Sequence, residues 1–351
     1  MAATGTAEAL TRELVEYARG RGVDLVGCTS AAPFVVGEPA EEIAPGQVMA
    51  GARSVVVGAC YTYGADSYRT SRPGVPRGRL GPWTRVSVGA YGHVVQVLTE
   101  FLEGHGYRSA PGHDLPQKPA AVRSGLASYG RNCIVHAEGT GSYLELAAVV
   151  TDAELACTDR PIHTSDCPED CRACVEACPT GALAEPFRLR REQCICHYMW
   201  GAPIPLEHRE GVGDLVFRCD ACQRVCPHNQ GLTPRAEFPF PLQTGEDSPE
   251  LIPLLLGDER YYREAVPEFV RSAGAETVRR NAAIAAGNSD DPAVVPGLIA
   301  CLGTEHAPTR IAAAWALGRL GGAEAMGALR ARLACEEDDG VREEIERSVT
   351  A

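Results

Sequence analysis

Between Cys167 and Cys226 the chain carries two cysteine runs whose spacing leaves little freedom for the fold around them. The first reads Cys167-Pro-Glu-Asp-Cys171-Arg-Ala-Cys174-Val-Glu-Ala-Cys178-Pro179, the second Cys219-Asp-Ala-Cys222-Gln-Arg-Val-Cys226-Pro227. Paired runs ending in Cys-Pro mark two iron–sulfur clusters, the last cysteine of each run ligating the other cluster. Counting thiolates under that rule gives Cys167, Cys171, Cys174 and Cys226 to cluster one. Cluster two then has Cys178, Cys219 and Cys222, and Cys194, lying between the runs, completes it; Cys196 is left over. One spacing is irregular: Cys167 to Cys171 spans three residues where two are usual, which makes Cys167 the softest member of the set, with Cys157 as a distant substitute. Zinc is the competing reading, but it favours histidine among its ligands and needs no crossing pattern. A disulfide framework belongs to oxidising compartments.

The rest of the composition is that of a globular chain of two or three domains, 351 residues long. The N-terminus lacks the basic region and apolar run of a signal peptide, and no apolar stretch approaches a membrane span. A cytoplasmic, reducing location is therefore expected, with no membrane partner. The net charge of −13 argues against strong attraction to phosphate backbones, and so against tRNA as a partner. Of the 33 basic residues only Lys118 is a lysine, which singles it out as a place where a mobile ammonium does what a guanidinium does not.

Upstream of the clusters, helical and strand patterns alternate. Leu10, Leu14, Val15 and Ala18 fall at helical spacing, 53–61 is an unbroken buried strand, and Val94, Val97, Leu98, Phe101 and Leu102 mark a helix ending near Gly106. Residues 63–82 read as a long functional or mobile loop. The alternation over 1–155 predicts an α/β domain. Its densest chemistry lies at 113–133, where His113, Asp114 and Lys118 precede a short helix and Tyr129 to Asn132 follow it. A ferredoxin-like double [4Fe–4S] domain is expected over 156–235. An all-α module follows over 250–351, where Arg279–Gly287 overlays Arg310–Gly318 at a period of 31 residues, as in HEAT-like repeats. With 11 Arg against 17 acidic residues over 250–351, this module reads as a scaffold packed on the cluster domain rather than a grip for RNA.

Arg123-x-Gly-Leu, Gly130-Arg-Asn and Gly141-Ser followed by a strand ending in Thr151-Asp, together with Cys178-Pro-Thr-Gly-Ala and Cys219-Asp-x-Cys-Gln-x-Val-Cys-Pro-x-Asn, resemble the epoxyqueuosine reductases and their paralogues. The resemblance runs along nearly the whole chain. It implies a cobalamin held against the α/β domain and fed by the two clusters, with Arg131, Asn132 and Ser142 on the cofactor side. It also exposes departures: the family's proton-donating aspartate falls at Pro111, with Asp114 three residues on, and its Gly-Trp becomes Ala127-Ser128. These changes touch the substrate pocket and favour a divergent paralogue.

The expected function is a reductase that draws electrons from an external donor such as a ferredoxin or flavodoxin. They enter at cluster two and leave from cluster one toward the cobalamin, to reduce a small organic epoxide, halide or activated C–O bond. Lys118, Asp114 and Tyr129 are the candidates to offset charge and supply the proton. Two alternatives stand beside it: an electron-transfer or regulatory iron–sulfur protein without corrinoid, and a tRNA epoxyqueuosine reductase.

Overall fold

The computed structural model describes residues 2–37, 39–64 and 71–350, so part of the loop expected over 63–82 lies outside the described residues. The N-terminal domain is built on one four-stranded sheet. Its strands are β1 (Leu25–Ser30), β2 (Ser54–Tyr61), β3 (Ser109–Pro111) and β4 (Leu144–Thr151), in the order β1-β2-β4-β3. Every neighbouring pair is antiparallel, with Val56 opposite Val149 at the centre.

Strand geometry sends alternate side chains to opposite faces, and here both faces are covered. Val56, Ala147 and Val149 pack under α1 (Ala2–Arg19) and α2 (Ser87–Gly104), against Leu14, Val94, Leu98 and Phe101. Val55, Val57, Ala148 and Val150 face the other way, against Phe34 and Ala120, Ala121 and Val122 of α3 (Gln117–Arg123). That double covering explains why the central strands read as continuous apolar runs. Arg123 ends α3 buried, its guanidinium donating to Thr29 Oγ1 and to the carbonyls of Ser30 and Pro33 while lying over the Phe34 ring. It clamps β1 to α3.

The C-terminal repeats and the cluster segment share one apolar core, running from Ile195, Tyr198 and Phe217 through Leu251 and Leu255 to Ile345. Helices α4 (Ala275–Gly287), α5 (Ala307–Leu320) and α6 (Asp339–Thr350) stack in succession. A Cβ on Gly287 would come within 2.7 Å of Trp315, and one on Gly318 within 2.6 Å of Ser348, so the repeating glycine is what lets each helix meet the next. The two repeat arginines have diverged. Arg279 donates to the Leu255 carbonyl, while its neighbour Arg280 donates to the carbonyls of Tyr198 and Ala202 and ties the repeats to the cluster segment. Arg310 pairs instead with Glu336 inside the module. The Pro-rich stretch before the repeats is not a free linker, because Phe238 and Phe240 pack into the N-terminal core. No helix among the described residues is long and apolar enough to cross a membrane.

Candidate iron–sulfur and reductive site

The cysteines gather into two nests. Cys167, Cys171, Cys174 and Cys226 line one cavity, and Cys178, Cys194, Cys219 and Cys222 line a second of about 200 Å³. The grouping follows from two short helices, Ala173–Glu176 and Ala221–Arg224, that lie against each other and carry Cys174 and Cys222. The Cys-Pro ends then cross, Cys226 reaching the first nest and Cys178 the second. The extra residue after Cys167 is taken up in a turn, where the Cys171 N–H donates to the Pro168 carbonyl at 3.1 Å. Cys157 lies away from both nests, its thiol 3.7 Å from Ser54 Oγ.

The thiols raise one another. Cys174 is pushed up by burial and then by Cys226, Cys171 and Cys167; Cys222 by burial and then by Cys219, Cys174, Cys194 and Cys178. Cys219 is pushed up to about 11, burial first. Thiols packed this closely shed their protons only against a positive centre, and two sets of four fit iron–sulfur clusters. Cys196 is outside the count of four but touches it. Its thiol is the main influence that brings Cys194 down to about 6 against the opposing effect of burial, and its sulfur accepts the Cys219 N–H at 3.2 Å.

Lys118, in the first turn of α3, donates from Nζ to the Cys133 carbonyl at 2.9 Å. It keeps solvent access, but the protein crowded around its ammonium lowers its pKa, with Cys133 opposing. Tyr129 also neighbours Cys133 and is pushed up to about 12 by burial and then by that thiol. Lys118 and Cys133 line the second nest's cavity together with Trp83 and Asn132. Asp114 belongs elsewhere: it acts on Tyr91, whose hydroxyl is 2.7 Å from His113 Nδ1 and whose pKa is raised by burial, then Glu145, then Asp114. The structure thus joins Lys118 and Tyr129 through Cys133 and sets Asp114 with Tyr91 and His113.

The placement bears on the expected order of the nests without fixing a direction of electron flow. The cysteines of cluster two, not cluster one, share a cavity with Lys118. The crossing rule assigns thiolates to clusters but carries no information on which nest meets the α/β domain. That is set by side chains between them. Asn132 is buried between the cavities and lines both, its Oδ1 accepting the Ile134 N–H. Ser142 is held by the cluster segment: its N–H donates to Asn229 Oδ1 at 2.7 Å, and its Oγ accepts from Gln223 Nε2 and Asn229 Nδ2. Gly141, at φ +56°, must be glycine, since a Cβ there would stand 2.1 Å from Asn229 Oδ1. Arg131 hydrogen-bonds the Glu169 carbonyl and lies over Phe187.

Two groups are not apparent from the sequence. Glu145, within a strand, faces Arg218 and Ser87, and burial raises its pKa while Arg218 opposes. Arg218, at φ +60° just before Cys219, lies over Phe269 and Trp83. The only sequence signals are a single acid inside an apolar strand and an arginine preceding a ligand cysteine. The second group, His136 and His228, stacks beside Cys167.

Comparison with known proteins agrees with this architecture. Residues 167–229 match the 4Fe-4S double cluster binding domain family, and 264–350 match the HEAT repeats family. The epoxyqueuosine reductase of Bacillus subtilis is 30% identical over 97% of this chain and 95% of its own length. That of Bacillus anthracis is 28% identical over 97% of each. Among solved structures, an epoxyqueuosine reductase with an epoxyqueuosine-modified tRNA-Tyr stem loop superposes with a TM-score of 0.85 at 27% identity, over 97% of this chain and 98% of that one.

Proposed function

Because the chain belongs to the epoxyqueuosine reductase family, we propose that it is an iron–sulfur reductase that opens an epoxide-type C–O bond on a nucleoside carried by tRNA. The observation that carries the reading is the cavity shared by the Cys178, Cys194, Cys219 and Cys222 thiols and by Lys118. It sets a proton-bearing cation beside the place where reducing equivalents are held. When bound, the two [4Fe–4S] clusters supply single electrons and a cobalamin supplies a cobalt centre that reduces carbon. The cavity suits an edge of such a ring: Leu183, Leu189 and Ile195 form an apolar wall, and Lys118 and Asn132 are the polar points that would meet its amide arms.

The chain's own residues account for the proton and the charge. Breaking a C–O bond leaves negative charge on oxygen, and a positioned cation beside it offsets that charge. Lys118 is fixed by the Cys133 carbonyl and gives up its proton more readily than an ordinary lysine. Tyr129 keeps its proton and serves as a hydrogen-bond donor. Asp114, set with His113 and Tyr91 away from this cavity, takes no part in the step. A ferredoxin or flavodoxin is the class of external donor.

The acidic total of the chain pointed away from tRNA, but a total does not describe a patch. Arg188, Arg190 and Arg191 are exposed around Leu189, which lines the Lys118 cavity; Glu185 pairs with the first two, so the three arginines outnumber the acid they surround. A second reading, a small organic substrate, is favoured by one feature: Pro111, which stands where the family's aspartate is expected, is an edge-strand residue paired with Val149 and offers no acid. Turnover of an epoxide-bearing tRNA stem loop and of the free nucleoside decides between them. The tRNA reading requires a preference for the stem loop that weakens as salt rises. Equal kcat/KM for both, without salt dependence, establishes the second.

A further inference from the structure

Two histidines from distant parts of the chain meet beside the first nest. His136 comes from the short hairpin in which Ser128 pairs with it, and His228 from the turn after Cys226-Pro227. Their rings stack with centroids 3.8 Å apart and planes 20° from parallel. A ring nitrogen of each and the Cys167 sulfur all lie within 4.8 Å of one another, and His228 lines the first nest's cavity. His136 is 3% exposed. Its Nε2 is 3.1 Å from Asp166 Oδ1 but out of line for a hydrogen bond, and Nε2 of His228 also lacks a partner among the described residues. Buried ring nitrogens without partners are costly, and here they sit against a sulfur that gains charge when a cluster is reduced.

We propose that His228, its ring held by the stacked His136, donates an N–H hydrogen bond to the Cys167 sulfur and sets the reduction potential of cluster one. This rests on reading the nests as two clusters. A reduced cluster carries one more negative charge than an oxidised one, so a donor at its sulfur stabilises the reduced form more and raises the potential. Burial strengthens the effect by lowering the local dielectric. The Asn229 N–H donates to the Cys226 carbonyl at 2.9 Å, which fixes the turn that carries His228 against the nest. The imidazole also gives the irregular Cys167 a second hold.

The test is an EPR-monitored redox titration of the holoprotein, with iron content measured in parallel. His228→Phe keeps a ring for the stack but removes the donor. It is expected to leave cluster two unchanged and to lower the reduction equilibrium constant of cluster one about tenfold, which is 59 mV for one electron. His228→Gln restores a donor and recovers most of the shift; His136→Phe preserves the stack and changes the constant less than threefold. In protein labelled with 15N-histidine, pulsed EPR shows a weak nitrogen coupling at cluster one that disappears in His228→Phe. If His228→Phe fails to assemble cluster one, the Gln variant and the wild-type coupling decide. Equal potentials in wild type and His228→Phe, equal shifts in both clusters, or the strong coupling of an iron-bound nitrogen would each overturn the proposal. Iron for fewer than two clusters in the wild type would instead overturn the underlying reading.

Discussion

The nest around Cys222 and the nest around Cys171 share a motif but not their surroundings. Around Cys222 the walls are Leu183, Ile195 and Trp83, with Lys118 facing in from the α/β domain. Around Cys171 they are Arg131, Pro168 and His228, under an exposed loop that carries Glu169 and Asp170. Burial drives Cys222 and Cys219 far up, so the inner thiolates depend most heavily on iron for their charge balance. The comparison shows one signature used twice in different surroundings, an apolar wall beside Lys118 at one nest and polar side chains with a histidine pair at the other.

Removing one ligand from each nest is the strongest way to break this comparison. Cys222→Ser and Cys171→Ser should each lower iron from about eight to about four atoms per chain. With a small diffusible reductant in place of the protein donor, Cys171→Ser should retain turnover and Cys222→Ser should have none. Equal losses in the two variants would mean that the inner nest has no privileged access to substrate.

The next largest effect belongs to Lys118. Lys118→Arg keeps the positive charge but substitutes a group whose pKa exceeds about 12 and which does not release a proton. Turnover should fall about a hundredfold, within the range for loss of a positioned acid, while the absorption of both clusters is unchanged. The pH profile sharpens the assignment. Because the folded pKa of Lys118 lies below the ordinary 10.5, the protonated form is lost as pH rises through that lower value, and the rate should decline there. The arginine variant should lack that alkaline decline.

Much of this was legible in the chain. The crossing Cys-Pro pattern grouped the nest cysteines, because cluster geometry fixes spacing along the sequence. The period of 31 revealed the repeats, because Gly287 and Gly318 occupy the same close approach in successive units. Strand direction was not legible: the Val55–Val57 run reports burial on both faces, which parallel and antiparallel sheets share. Phe238 and Phe240 were hidden in a Pro-rich stretch that reads as a linker, although both aromatic rings are anchored in the N-terminal core. His136 with His228, and Glu145 with Arg218, were also hidden. Each pair is assembled across the seam between domains, and no local period links the partners.

Arg218 tests whether the inner nest's surroundings are electrically balanced. Its guanidinium acts on Glu145 at longer range than a direct ion pair, and both side chains are half-buried. Arg218→Met removes that balancing charge. The cost should be about 1 kcal/mol, because solvent access softens the interaction. Adding Glu145→Gln should restore most of the loss in a denaturant titration. Additive losses in the double variant would mean that the two side chains act independently.

An effect as small is expected at Cys196, and it bears on which thiols form the inner nest. Cys196 lies outside the four-ligand count; its thiol donates to the Cys219 carbonyl at 3.6 Å and its sulfur accepts the Cys219 N–H at 3.2 Å. Bonded both ways to the backbone of one ligand, it holds that ligand in place without itself binding iron. Cys196→Ala should therefore leave iron content unchanged and cost about 1 kcal/mol, the usual net value of a hydrogen bond, as the Cys219 N–H loses its acceptor. Cys194→Ala should remove the inner cluster outright. If the two results are exchanged, with iron lost from Cys196→Ala and kept in Cys194→Ala, Cys196 is the ligand and Cys194 the supporting thiol. The crossing count would survive, with its one intervening cysteine moved two residues along.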